Sequence, residues 1–173
     1  IGLFWSVCSA RAPSFRPYRR ILFRRRPFGE SIWMSRPFRR WTMRVLLDTG
    51  VWFRRYHGLP LRKGLVRFLE EEATEYCLCP LSIEEIVYKW GCGKLGEVPS
   101  PEKWLQHSLL NFELVDLSPE AALKAGLWPW DHGDPVDRAL AAIAATEDLI
   151  LVHTDKRLSQ FEGFPQRYFP GLR

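Results

Sequence analysis

The sequence predicts an α/β fold with a mainly parallel sheet. Two observations carry this reading. Short apolar runs at residues 45–47 and 149–153 read as buried strands, and aspartates stand just beyond them, Asp48 and Asp155. The segments between such runs place apolar residues at helical spacing. Strands that alternate with helices bury both faces of a parallel sheet.

Taken in order, Val45-Leu46-Leu47 forms the first strand and ends at Asp48. Trp52 begins a helix that breaks near Gly58 and Pro60. Residues 61–72 form a second helix, with Leu61, Leu65, Phe68 and Leu69 on one side. Residues 75–80 are the second strand. Ser82 opens the next helix, which runs to about Trp90 with Ile83, Ile86, Val87 and Trp90 as its apolar stripe; Gly91, Gly93 and Gly96 end it. Ser82 and Glu85 have the S-x-x-E spacing of a capping box. A helix over 101–110 and a strand over 112–117 follow, with Ser118 as N-cap of another helix. Residues 135–147 give the strongest helical pattern, because Asp134 can cap it, Pro135 suits the first helical position and the body is rich in alanine. A strand over 149–153 and a short one within 161–169 complete the chain.

The chain has 173 residues, the size of one domain, and its 46% hydrophobic and 26% charged residues indicate a globular chain. It has no run of 18 apolar residues, which excludes a membrane-spanning helix. The net charge of +5 is unevenly spread. Residues 1–42 hold ten Arg, no Lys and one acid, Glu30, for +9, whereas residues 43–173 sum to −4. The segment 1–42 is rich in Arg, Pro and aromatic residues and has no sustained apolar period. The abrupt change at Met43 leads us to expect a disordered leader, or upstream sequence translated before a start at Met43, outside the native product. A basic arm for nucleic acid or an anionic membrane, and a targeting peptide, are the other readings. Beyond Cys8, the remaining cysteines, Cys77, Cys79 and Cys92, have no metal-ligand spacing and are expected as small core residues in a reducing cytoplasmic setting.

The chemistry rests on carboxylates. Acids that crowd together raise each other's pKa, and a divalent metal relieves that cost. Asp48, Glu84 or Glu85, Asp134, Asp137 and Asp155 stand at strand ends or helix starts, where ligands bind in parallel sheets. Each also has a structural reading: Asp48 and Asp134 as helix caps, Glu85 in the capping box, Asp137 as a first-turn charge, and Asp155 as a turn residue.

The blocks VLLDTGVW, LSIEEIVYKWGCGKLG, HGDPVDRALAAIAA and LILVHTDKRL resemble, in this order, the PIN-domain family, and look most like its VapC-type ribonuclease toxins. The resemblance runs from about Met43 to the C-terminus, and its most specific piece is the H-x-D-P-x-D-R segment at His132–Arg138. It implies a compact α/β/α sandwich, Mg²⁺- or Mn²⁺-dependent endoribonuclease activity, a small cognate antitoxin and a homodimer. Its four acids fall on Asp48, Glu85, Asp137 and Asp155, as catalytic and metal-binding residues. Thr49 is a supporting hydroxyl. Arg138 is a candidate for phosphate contact or for an ion pair with a nearby acid. Two departures stand out: Glu84 sits where the family often has an aromatic and so competes with Glu85, and His153 occupies the position of a customary Thr, with Thr154 one residue late.

Other classes fit less well. Leu47-Asp48-Thr49-Gly50 resembles the Asp-Thr-Gly of aspartic proteases, but those are β-rich and need a second aspartate. Gly50 excludes an Asp-x-Asp phosphatase. A non-catalytic RNA-binding or adaptor domain is the alternative function. Trp128 and Trp130 are expected in the core rather than at an interface.

Overall fold

The structure, a computed structural model, describes residues 42–171. The leader expected over 1–42, Thr42 excepted, and Cys8 therefore lie outside the described residues. The described chain runs β1 (Arg44–Leu47), α1 (Thr49–Tyr56), α2 (Lys63–Glu71), β2 (Glu75–Leu78), α3 (Pro80–Gly91), α4 (Leu105–Ser108), β3 (Glu113–Leu114), α5 (Pro119–Leu127), α6 (Pro135–Thr146), β4 (Ile150–His153) and β5 (Gln166–Tyr168), with 3-10 turns at Pro101–Lys103 and Leu158–Gln160.

The five strands pair in parallel throughout, in the order β3-β2-β1-β4-β5. The chain steps from β1 outward to β2 and β3, then crosses back over α5 and α6 to β4 on the other side of β1. The order reverses between β1 and β4, so the crevice beyond their carboxyl ends is the switch point of the sheet. Leu47 is level with Val152, and the Asp48 amide donates to the Val152 carbonyl at 3.1 Å. The residues following the two central strands therefore emerge side by side.

Both faces of the sheet are covered, which is why its strands are nearly continuous apolar runs. Val45, Leu47 and Val152 pack with Val51, Trp52, Phe53, Leu65, Phe68 and Ile86 from α1, α2 and α3. Leu46 and Leu151 point the other way, into a core with Ala121 of α5 and the run Leu140–Ala144 of α6. Small side chains let α6 lie close to the sheet. Asp148, at φ 51°, closes that helix in the left-handed conformation that Asp tolerates, and the Leu149 amide bonds back to the Ala144 carbonyl at 3.1 Å.

Several expected boundaries shift. The helix expected over 101–110 breaks at Trp104, whose φ is −131°, and the strand expected over 112–117 shortens to Glu113–Leu114. Ser118 caps α5 by accepting from the Ala121 amide, as expected. Ser82 does not open α3. The helix starts at Pro80, for which a first-turn position suits its missing N–H, and Ser82 is buried inside the first turn, so no Ser82–Glu85 capping box forms. The stripe expected on α3 is also rotated: Val87 and Trp90 are exposed, whereas Ser82 and Ile86 are buried. Cys77 and Cys79 are buried, but Cys92 is exposed, against the expectation that it packs in the core. Among the described residues no helix is long and apolar enough to cross a membrane.

Leu46 is fully buried on the central strand, in contact with the alanine face of α6. Leu46→Ala should lower unfolding stability by about 2–5 kcal/mol, the cost of a core cavity. Urea denaturation measures this, and a loss below about 1 kcal/mol would contradict the packing described.

Candidate metal centre

The switch point opens into a cavity of about 490 Å³. Asp48, Thr49 and Gly50 reach it from the β1–α1 junction, Glu85 and Lys89 from α3, Asp134 and Asp137 from the start of α6, and Thr154, Asp155 and Lys156 from the end of β4. All four of the acids expected from the sequence, together with Thr49, line this one space. Their convergence is a product of topology: β1 and β4 are neighbours, and α3 and α6 each bring an acid to the same edge.

The competition between the two glutamates is resolved in position. Glu85 lines the cavity and pairs with Lys89 one turn along α3, while Glu84 is exposed and does not line it. The buried face of α3 runs through Ser82, Ile86 and the half-buried Glu85 and Lys89, rotated from the stripe read in the sequence.

The site is electrostatically unfavourable to itself. Burial, and then the charge of Glu85, push the Asp48 carboxyl up to about 7, only partly offset by the peptide groups of Thr49 and Gly50 and by Lys89. Asp137 is pushed up to about 8, by burial first and then by Asp48, Asp134, Asp155 and Glu85. Burial lowers the Lys89 ammonium, but Glu85, Asp48 and Asp134 outweigh it and hold the amine above its usual value. The two lysines that line the cavity, Lys89 and Lys156, do not neutralise its five carboxylates, Asp48, Glu85, Asp134, Asp137 and Asp155. The donor set therefore fits a divalent cation, which takes hard carboxylate oxygens and favours their ionised form. The Thr49 hydroxyl, buried and without a partner, is a further polar atom beside Asp48.

Two expected caps behave differently. Asp134 caps α6, its Oδ1 accepting from the Val136 amide at 2.9 Å and the Asp137 amide at 3.4 Å, so it is both cap and cavity wall. Asp48 occupies the cap position of α1 without a side-chain capping bond, which leaves its carboxylate for the cavity. Asp155 also serves its turn, accepting from the Arg157 amide at 2.5 Å.

Arg138 corrects the sequence reading. Among the described residues it makes no ion pair, and it does not line the cavity. Its guanidinium donates to the carbonyls of Ala125, Trp128 and Trp130 and lies over the Trp130 ring at 5.7 Å, clamping the α5–α6 connection. That connection carries the two tryptophans. Both are half-buried against the core, as expected, with Trp130 stacked on Phe161 at 4.7 Å and Trp128 edge-on to it at 5.2 Å. Of the fourth-strand departures, Thr154 lines the cavity, while His153 is buried and bonds Gln166 at 2.9 Å.

One residue had no assigned role. His132 is buried, with Nε2 3.5 Å from Asp137 Oδ2, and one of its ring nitrogens lies within 4.8 Å of oxygens of Asp137 and Asp155. Its place in the H-x-D-P-x-D-R segment was the available signal.

A parallel α/β/α sandwich with a carboxylate-lined cavity at its switch point defines the class of protein. The particular family follows from the sequence: the model of the PIN domain matches residues 45–163, and the chain belongs to the PIN-domain family. Solved structures agree on the fold. The chain is similar to a chain of VapBC2 from Rickettsia felis bound to a DNA fragment from its promoter, at 16% identity over 73% of this chain and 98% of that one, with TM-score 0.56. It is also similar to a chain of a toxin–antitoxin complex from Klebsiella pneumoniae (18%, 69% and 93%, TM-score 0.52) and of VapBC-5 from Mycobacterium tuberculosis (14%, 74% and 98%, TM-score 0.52). No curated protein sequence matches.

The raised carboxyl groups set a pH dependence. Asp48 and Asp137 hold protons in the folded state up to about pH 7 and 8, whereas the unfolded chain releases them near the ordinary value of 3.8. The folded state binds more protons across that window, so the stability of metal-free protein should fall as pH rises from about 4 to about 8 and then level off. Mg²⁺ or Mn²⁺ should raise the melting temperature more at pH 8 than at pH 5.5. Scanning calorimetry with and without metal tests this, and a metal-independent, flat profile would contradict the electrostatics.

Proposed function

We propose that the protein is a metal-dependent endoribonuclease, the toxin of a toxin–antitoxin pair. The observation that carries this reading is the convergence of Asp48, Glu85, Asp137 and Asp155 on one cavity, with two of the four held well above ordinary carboxylate values. Membership in the PIN-domain family supports nuclease chemistry, and the fold shared with toxin–antitoxin complexes supports the biological setting. The partners in this reading are an RNA substrate, a small cognate antitoxin and a second copy of the chain, and the setting is the cytoplasm.

In the mechanism, Asp48, Glu85, Asp137 and Asp155 would hold the Mg²⁺ or Mn²⁺. When bound there, the cation would supply an activated water and charge stabilisation at the phosphodiester. The protein's own groups do the rest. Ionised carboxylates at Asp48 and Asp137 bind the cation, so occupancy requires loss of the protons that burial retains. Lys89 holds Glu85 in its rotamer by their ion pair. Thr49 offers its hydroxyl beside Asp48. Lys156, which also lines the cavity, supplies positive charge for the RNA backbone. The domain's net −4 over residues 43–173 is thus concentrated where cation and phosphate meet.

Asp48→Asn should keep the fold by circular dichroism and lose Mg²⁺- or Mn²⁺-dependent RNA cleavage by at least about 100-fold, since loss even of outer-shell partners costs 10–100-fold. Cleavage-end mapping on purified RNA measures this. Retained metal-dependent cleavage would reject the site. RNA binding without cleavage by the unaltered chain would favour an adaptor.

A further inference from the structure

Beside the four acids stands a buried group that they leave unused, His132. The His132 side chain is 3% exposed, and neither of its ring nitrogens has a hydrogen-bond partner among the described residues. Nε2 stands 3.5 Å from Asp137 Oδ2, near enough for electrostatic contact but without the geometry of a hydrogen bond. An imidazole buried without partners costs free energy, and native proteins leave few such atoms unexplained. The same ring is held in place: Trp130 packs on it at 4.6 Å, and Arg138 clamps the segment that carries both. One nitrogen of His132 and one oxygen each of Asp137 and Asp155 lie mutually within 4.8 Å, a spacing that a single ion can bridge with small side-chain adjustment.

We propose that His132 is a nitrogen ligand of the divalent cation, alongside Asp137 and Asp155, and that it biases the site toward Mn²⁺ and related first-row transition ions over Mg²⁺. The proposal rests on the metal-dependent reading above and adds a donor to it. The chemistry follows from ligand type. Mg²⁺ demands hard oxygen donors and gives up its waters reluctantly, whereas imidazole is a good ligand for the first-row transition ions. One imidazole added to the carboxylates therefore discriminates between ions that four carboxylates alone would accept more evenly. The rival role for His132 is that of a neighbour that only offsets the charge of Asp137. The two roles differ in whether a histidine nitrogen touches the ion.

The test is pulsed electron paramagnetic resonance on the full chain loaded with Mn²⁺. Unlabelled protein should show a ¹⁴N coupling to Mn²⁺ that converts to ¹⁵N when only the histidines are ¹⁵N-labelled, a comparison that needs no substitution. The coupling should vanish in His132→Gln and persist in His57→Gln, His107→Gln and His153→Gln. The last three variants locate the ligand by elimination even where His132→Gln does not fold. By titration calorimetry, His132→Gln should weaken Mn²⁺ binding by roughly tenfold or more while changing Mg²⁺ binding less than about twofold. Mn²⁺ that binds and is weakened by Asp137→Asn, yet shows no histidine coupling, would overturn this proposal and leave the metal-dependent reading standing. A coupling lost with another histidine would also overturn it. Failure of the unaltered chain to bind either ion would remove the metal-dependent reading itself, and this inference with it.

Discussion

The structure turns on the repulsion among carboxylates at the carboxyl end of its two central strands. Asp48 and Asp137 are half-buried in the cavity wall, and burial and their acidic neighbours both disfavour their charge. A protein gains nothing in stability from such a cluster. The arrangement makes sense as a seat for a cation, which converts the repulsion into affinity. The free energy that the metal-free fold forgoes is the same quantity that ties metal binding to proton release.

The fold supplies that cluster with little freedom. Parallel β1 and β4 in register place Asp48 and Asp155 at one edge, and the crossover through α5 and α6 returns the chain so that the first turn of α6 faces them. The alanine face of α6 sets how near Asp137 lies, because larger side chains there would lift the helix from the sheet. Arg138 points away from the site into a cage of carbonyls, which positions the α5–α6 connection and with it His132. The acids and their supports thus alternate along one helix: cap at Asp134, ligand candidate at Asp137, clamp at Arg138.

Much of this was legible in the sequence, for physical reasons. Apolar runs that end in Asp announce buried parallel strands. Asp134-Pro135 before an alanine-rich stretch announces α6, since cap, fixed φ and helix propensity agree. What was not legible depended on rotation and tertiary contact. Pro80 starts α3 two residues before Ser82, and the exposure of Val87 and Trp90 turns the helix so that Glu85 faces the cavity and Glu84 does not. Motif position selected Glu85, but the apolar stripe did not. Arg138 was read as a phosphate contact or an ion pair with a nearby acid, and its carbonyl partners were not legible because they lie 8 to 13 residues back along the chain. His132 sits in the most specific motif, yet only burial and the loss of all its hydrogen-bond partners mark it as a candidate ligand.

Proton displacement by a divalent cation is what the raised Asp48 and Asp137 carboxyls require of the metal-free site. It is tested most directly by counting protons released on Mn²⁺ binding, from calorimetric titrations in buffers of different ionisation enthalpy. Net proton release is expected at pH 6.5, declining toward zero by about pH 9, once Asp48 and Asp137 are already ionised. Binding with no proton release at pH 6.5 would contradict it.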